Sequence, residues 1–299
     1  MRRVTHPVQG FLAALAAVAV LSIMDAVMKH LVLVIGIFAV SVWRAVVNLI
    51  LSAGLYLPRR RSWPARRNLV MHVSRSVVVT IMAVLFFWGI GRVPLAQAIA
   101  LTFIAPLIAM LLAPLFLKER LASRSIAGAV AAFGGVIVIV IGQARAEVRP
   151  DVLLGIAAIL GSAVCYSGNI LMMRWQALAA KPLEINFFQS VVVLLLWTAV
   201  LPIIGPQSWP QGQVGWIVVA SIMSTCGSLL FAWAYARGEA SYLAVTEYSA
   251  FLWASALGWL VFHERVSVYT LAGALLIVGG CLVAARRKNP PLPEIDVAA

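Results

Sequence analysis

The chain has 299 residues, 63% of them hydrophobic and only 11% charged, with a formal net charge of +13. Average soluble domains carry about a quarter charged residues. No soluble core of this size hides so much apolar surface, which excludes a soluble domain and makes lipid the expected solvent.

Apolar runs long enough to cross about 30 Å of hydrocarbon as helices fall at 10–31, 36–57, 70–90, 94–116 and 124–143. Five more fall at 153–174, 183–204, 214–235, 240–262 and 267–286. Polar or Pro/Gly-rich punctuation separates them, as in PRRRSWPARR at 58–67, EVRPD at 147–151 and GPQSWPQGQ at 205–213. The first run follows Arg2 and Arg3 as a signal peptide would, yet it contains Asp25 and Lys29 and has a counterpart in mid-chain. It is therefore expected to be a retained helix. The tail at 289–299 is polar, Pro-rich and expected to lack structure.

With ten helices, sixteen of the 23 Lys and Arg fall in loops on one side and four, Arg92, Arg145, Arg149 and Arg265, on the other. This bias predicts that both termini are cytoplasmic. It also removes nucleic acid as a partner, because the bases are dispersed over loop ends. Cys165, Cys226 and Cys281 lie inside apolar runs and read as small packed hydrophobes. His6, His30, His72 and His263 are isolated and lack metal-ligand spacing. No GxSxG, HExxH or Walker A motif occurs, and GIGRVP at 89–94 follows a membrane helix rather than a strand. The expectation is no enzyme, no cofactor and no metal.

A shift of 145 residues registers one half of the chain on the other without a gap. Ser22 meets Ser167, Phe86 meets Phe231, Trp88 meets Trp233, and LKERLASRSIAGAVAAFGG at 117–135 meets FHERVSVYTLAGALLIVGG at 262–280. Five helices per half is an odd number, so the second copy enters the membrane upside down. The loops agree, since the counterpart of PRRRSWPARR is the uncharged IIGPQSWPQG. The fold class is thus an all-α polytopic membrane protein, ten transmembrane helices in a 5+5 inverted repeat. The units are 1–146, 147–288 and a short tail at 289–299. Inverted repeats belong to transporters.

The stretch PLIAMLLAPLFLKERLASRSIAGAVAAFGGVIVIV, an apolar helix, a Leu/Phe-x-Glu-Arg hinge and a Gly-Ala/Gly-Gly helix, resembles the drug/metabolite transporter superfamily. The resemblance is to its EamA-like permeases and covers both halves; length and aromatic-rich helices are similar to the YddG type of amino-acid exporter. One departure is that Phe251 stands where the first half has Pro106. The resemblance implies a secondary transporter of a bacterial inner membrane, exporting small amphipathic metabolites, amino acids including aromatic ones first among them. The alternatives are a nucleotide-sugar or sugar-phosphate antiporter and a multidrug cation exporter. A lipid-embedded scaffold protein would need no polar stripe. The expected partners are the substrate and lipid, with no obligate protein partner.

Ionisable groups inside a membrane are costly and need partners or a wet cavity. Asp25 lies about 9 Å below one end of helix 1, and Arg44 about 12 Å inside helix 2 from that same end. Arg75 and Glu247 lie about 8 and 10 Å in from the other side, on helices 3 and 9. These four are gating or coupling candidates; the alternative is snorkelling or a static packing pair. The substrate-binding candidates begin with Tyr242, Thr246, Ser249 and Trp253, which at i, i+4, i+7, i+11 form one stripe on helix 9. Gln97 (the register mate of Tyr242), Tyr166 and Asn169 join them, with Trp88 and Trp233, for which an interfacial belt is the competing reading. The hinge itself reads as scaffold, with Gly128-xxx-Ala132 and Ala131-xxx-Gly135 letting helix 5 pack closely.

Overall fold

The computed structural model describes residues 7–59, 63–117, 123–146, 150–235 and 246–285. The first run is the helix α1, Pro7–Ile35, followed by α2, Ile37–Tyr56, and α3, Arg66–Ile90. The fourth run is two helices, α4 Leu95–Thr102 and α5 Ala105–Leu117, and α6 is Ser123–Ala146. The second half contributes α7 Pro150–Ala179, α8 Pro182–Ile204, α9 Val214–Tyr235, α10 Ala250–Phe262 and α11 Val268–Ala285. The described residues contain no strand. Because α1 runs four residues past its expected end, Asp25 lies about 15 Å, not 9 Å, from that end. A single residue, Gly36, joins α1 to α2 at φ 81 and ψ 160, a backbone region open essentially to glycine.

Among the described residues, six helices are long and apolar enough to cross a membrane: Gln9–Ile35, Ile37–Arg59, Arg66–Ile90, Pro150–Ile170, Pro182–Ile204 and Val214–Phe231. Leu95–Ala109, Ile126–Gly142, Ala250–Phe262 and Val268–Val283 are shorter apolar stretches. The bundle is oily on its outside, with Ile203 84% and Val268 80% exposed, as a lipid-facing surface requires.

The two halves interlock. α1 packs on α9, α3 on α7, α2 on α8 and α6 on α11. The 145-residue register exchanges α1 with α7 and α3 with α9, so the first two contacts are one contact made twice. The α6–α11 crossing is also self-matched: a Cβ on Gly135 would meet Gly273 O at 2.6 Å, and one on Gly280 would meet Gly128 O at 2.5 Å. The stripe that allows this approach is Gly128, Ala132 and Gly135. Ala131 faces outward and Gly134 meets nothing, so the expected Ala131-xxx-Gly135 face gives way to a seven-residue repeat of glycines on one side of the helix.

Hereafter the end carrying 57–59 and 63–65 is the basic end, and the end carrying Gly36, 91–94 and 263–267 the opposite end.

Candidate functional site

The most irregular backbone at membrane depth is where a binding site has to be sought, because only a protein-lined or wet interior tolerates it. Two breaks occur among the described residues, and they are register mates. In the first half, α4 stops at Thr102 and the chain turns through Phe103 and Ile104, whose N–H groups donate to Ala100 O at 3.3 Å and Leu101 O at 3.4 Å. In the second, the turn falls at Tyr248 and Ser249, where Ser249 N donates to Thr246 O at 3.0 Å and Phe251 N to Tyr248 O at 3.3 Å. Hydroxyls return to the backbone at both turns: Thr102 Oγ1 donates to Ile99 O at 2.7 Å, and Ser249 Oγ donates at 2.6 Å to Thr246 O, which also accepts Ser249 N.

The breaks touch. The rings of Phe103 and Tyr248, equivalent residues in the register, meet edge to face at a centroid distance of 5.4 Å. Cys281 of α11 donates through Sγ to the Phe103 carbonyl at 3.3 Å. Glu247, beside Tyr248, is close enough to Tyr166 on α7 for its charge to act on the phenol.

One turn beyond Tyr166, Asn169 begins a polar chain. Arg75 Nε donates to Asn169 Oδ1 at 2.8 Å and Arg75 Nη1 to Gln176 Oε1 at 2.6 Å. The Gln176 amide then faces His72 Nδ1 at 2.6 Å, and His72 Nε2 lies 3.2 Å from Glu184 Oε1. An arginine only donates and an amide nitrogen only donates, so Nδ1 accepts and Nε2 carries the hydrogen that goes to Glu184. The chain is thus directed from the guanidinium to the carboxylate, across α3, α7 and α8. Arg75 is held by two amides rather than by Glu247, and His72 is a wholly buried member of the network rather than an isolated interfacial residue.

At the opposite end Lys29 and Glu264 form an ion pair across the halves. Lys29, 4% exposed, also donates to Val93 O at 2.7 Å. The second oxygen of Glu264 accepts the Leu95 N–H at 2.8 Å, one of the orphan donors where α4 begins, a position that favours negative charge. The Glu-Arg hinge of the second copy is therefore a clamp on α1 and α4. Its equivalent, Glu119, lies outside the described residues.

Asp25 and Arg44 sit deeper on the same side, each within range of the other's charge. Arg44 Nη2 donates to Ser224 Oγ on α9 at 3.1 Å, and its guanidinium lies 5.4 Å from the Phe87 ring centre.

The expected helix 9 stripe spans the break in the second half. The turn at 248–249 lies between Thr246, 2% exposed, and Trp253, 39% exposed, and Tyr242 lies outside the described residues. Gln97 is buried within α4. Trp88 lies under the Arg92 guanidinium at 3.5 Å, close to the opposite end, and Trp233 is 39% exposed. Sequence reasoning missed Phe103, Tyr248 and Cys281 at that crossing. The signal for the first two was their register identity as aromatic mates.

Comparison with known proteins agrees with this architecture. The model of the EamA-like transporter family matches residues 8–141 and again 153–286, two spans offset by the same 145 residues. The pseudopaline exporter CntI of Pseudomonas aeruginosa is 26% identical over 94% of this chain and 97% of its own. A riboflavin transporter of Vibrio cholerae is 26% identical over 91% of each. A solved crystal structure superimposes with a TM-score of 0.62, at 20% identity, over 94% of this chain and 100% of that one, which shows a shared fold.

Proposed function

The chain belongs to the EamA-like transporter family, and from that premise we propose that it exports small amphipathic metabolites, amino acids including aromatic ones, across a bacterial inner membrane. It is a small-molecule transporter of two EamA repeats; the proposal adds ten spans in inverted halves, both termini cytoplasmic, and alternating access around a central site.

The observation that carries this reading is the crossing of the two breaks at Phe103 and Tyr248. Discontinuous helices at corresponding positions of two repeats mark the substrate site in other transporters of inverted architecture. Around the crossing, Thr246, Ser249, Gln97, Tyr166 and Asn169 supply hydroxyls and amides, with aromatic surface between them, the mixture that suits a substrate with a polar head and a variable side chain. Glu247 and Arg75 are placed to couple the site to the basic end, and Asp25 and Arg44 to the opposite end.

Reconstituted proteoliposomes loaded with single amino acids, riboflavin, a polyaromatic cation or a sugar phosphate test this, with and without a pH gradient. Protein-dependent flux of an amino acid is the expected result. Flux confined to riboflavin, the cation or the sugar phosphate overturns the substrate, and no flux for any overturns the transport reading.

A further inference from the structure

Lys29 and Glu264 join the two halves at the opposite end, and charge is a poor choice for a contact that never opens. Both side chains have largely left water, at 4% and 19% exposure. An apolar pair of similar size holds a static interface at least as well, because a buried ion pair returns much of its attraction as lost hydration. A contact that has to open is a different case. An apolar contact that parts exposes two oily surfaces, whereas a lysine and a carboxylate that part each regain hydration. Counted from Ile35 at 1.5 Å per residue, Lys29 is about 9 Å deep, within reach of water once that end opens.

Around the pair the end is sealed. Leu31, Ile90 and Leu95 are wholly buried, and Lys29 Nζ lies 5.1 Å from the Phe262 ring centre. α10 stops at Phe262, and His263, at φ 55, is the one non-glycine residue among those described with a positive φ. Its turn, closed by Glu264 N donating to Gly258 O at 3.0 Å, aims the Glu264 carboxylate back at α1 and α4. Leu95, whose N–H that carboxylate accepts, begins α4, eight residues and about 12 Å long, with Leu95–Leu101 all buried. α4 ends at the break whose Phe103 ring meets Tyr248. The ion pair and the crossing are therefore the two ends of one short, buried half-helix, and movement at the crossing reaches Glu264 through α4.

The register separates this pair from the other charges at membrane depth. Asp25, Arg44, Arg75 and Glu247 meet Ile170, Gln189, Ala220 and Thr102, none of them charged, but Lys29 meets Arg174 and Glu264 meets Glu119. In the sequence the base and the acid are thus present in both copies, as a contact tied to the exchange of inverted halves requires. We infer that the Lys29–Glu264 pair is the gate of the opposite end: it is closed in this structure, parts when that end opens, and is coupled through α4 to the crossing of the breaks. As a gate it rests on the alternating-access reading above, under which closing one end frees the other.

Two measurements test this. In purified protein, hydrogen exchange is followed by mass spectrometry at both ends, in the wild type and in Lys29→Met with Glu264→Gln. Without the pair, the amides of 91–98 should exchange about tenfold or more faster, within the range of a coupling between sites, and those of 66–76 and 183–190 at the basic end more slowly. A pair that only holds the fold together speeds exchange locally or everywhere, so faster or unchanged exchange at the basic end overturns the gate. In proteoliposomes, Lys29→Cys with Glu264→Cys, in a background of Cys165→Ala, Cys226→Ala and Cys281→Ala, is joined by a reducible bis-methanethiosulfonate. Joining the two should stop the flux of whichever tested compound the unjoined protein carries, and reductant should restore it. Flux through the joined protein overturns the gate and keeps the transport reading. Exchange that changes in opposite directions at the two ends, with no flux of any compound, keeps the gate and removes the transport reading.

Discussion

The two helix breaks occupy the same place in their repeats but are built differently. The first is followed by Pro106, which has no N–H to give to a continuing helix; the second has Phe251 there and breaks all the same. What the two share is a hydroxyl returned to the backbone, Thr102 and Ser249, and an aromatic ring set against its mate. The crossing and the hydroxyls, not the proline, therefore specify the break. The differences lie in what surrounds it. The first break places Thr102 where the second places Glu247, and the half-helix leading into the first is tied by Glu264 to the end of α10. One break is anchored, the other charged.

The anchor is the strongest single element, and removing half of it has the largest expected effect. Lys29→Met leaves the Glu264 carboxylate facing the start of α4 without its cation, and stranding one partner of a buried pair costs about 3–5 kcal/mol. Lys29→Met with Glu264→Gln should recover much of that, since a neutral amide still accepts the Leu95 N–H. Thermal unfolding of both variants in detergent checks this. A double variant as unstable as the single one would show that the clamp acts through shape rather than charge.

The charged break is tested by Glu247→Gln, which makes the two breaks chemically alike. If the carboxylate couples movement at the crossing, transport in proteoliposomes falls by about tenfold or more, the range of a charge acting only in the rate-limiting step, while the unfolding temperature changes little. Normal flux in a folded Glu247→Gln variant removes Glu247 from the mechanism. A smaller effect is expected from Tyr248→Phe. The edge-to-face ring contact with Phe103 survives and only the hydroxyl is lost, so the change should be about 1 kcal/mol or less, measured by the same unfolding assay.

Most of the fold was legible in the sequence because apolar run length and a 145-residue self-match are properties of the chain itself. Run ends fell within a few residues, with the extensions of α7 to Ala179 and of α1 to Ile35 the main exceptions; the second moved Asp25 to mid-depth. The site was less legible, for two physical reasons. Periodicity assumes an unbroken helix, and the stripe through Thr246 and Trp253 was drawn across what is a turn at 248–249. Pairings over long sequence separations are tertiary facts: Lys29 and Glu264 lie 235 residues apart and Arg75 and Asn169 94 apart. A composition or motif reading has no access to which intramembrane groups meet, and so it gave Arg75 a depth but not the two amides that hold it.

The smallest effect belongs to the residue at which the two breaks differ most in sequence. Phe251 is a partly buried side chain packed on the main core, so any truncation there costs packing; the informative quantity is the difference between Phe251→Pro and Phe251→Ala. Proline in place of alanine inside a helix costs about 3 kcal/mol, from a lost hydrogen bond and a ring clash with the preceding turn. At 251 the bond at risk is the 3.3 Å contact to Tyr248 O, and the turn before it is already opened, as it is before Pro106. The Pro–Ala difference at 251 should therefore be about 1 kcal/mol or less, while the same comparison at Leu257, inside α10, should show the full penalty of about 3 kcal/mol. Equal penalties at the two positions would mean that the second break is an ordinary helix bent by its surroundings. A small one at 251 means that both repeats hold the same break, one with the proline written into the sequence and one without it.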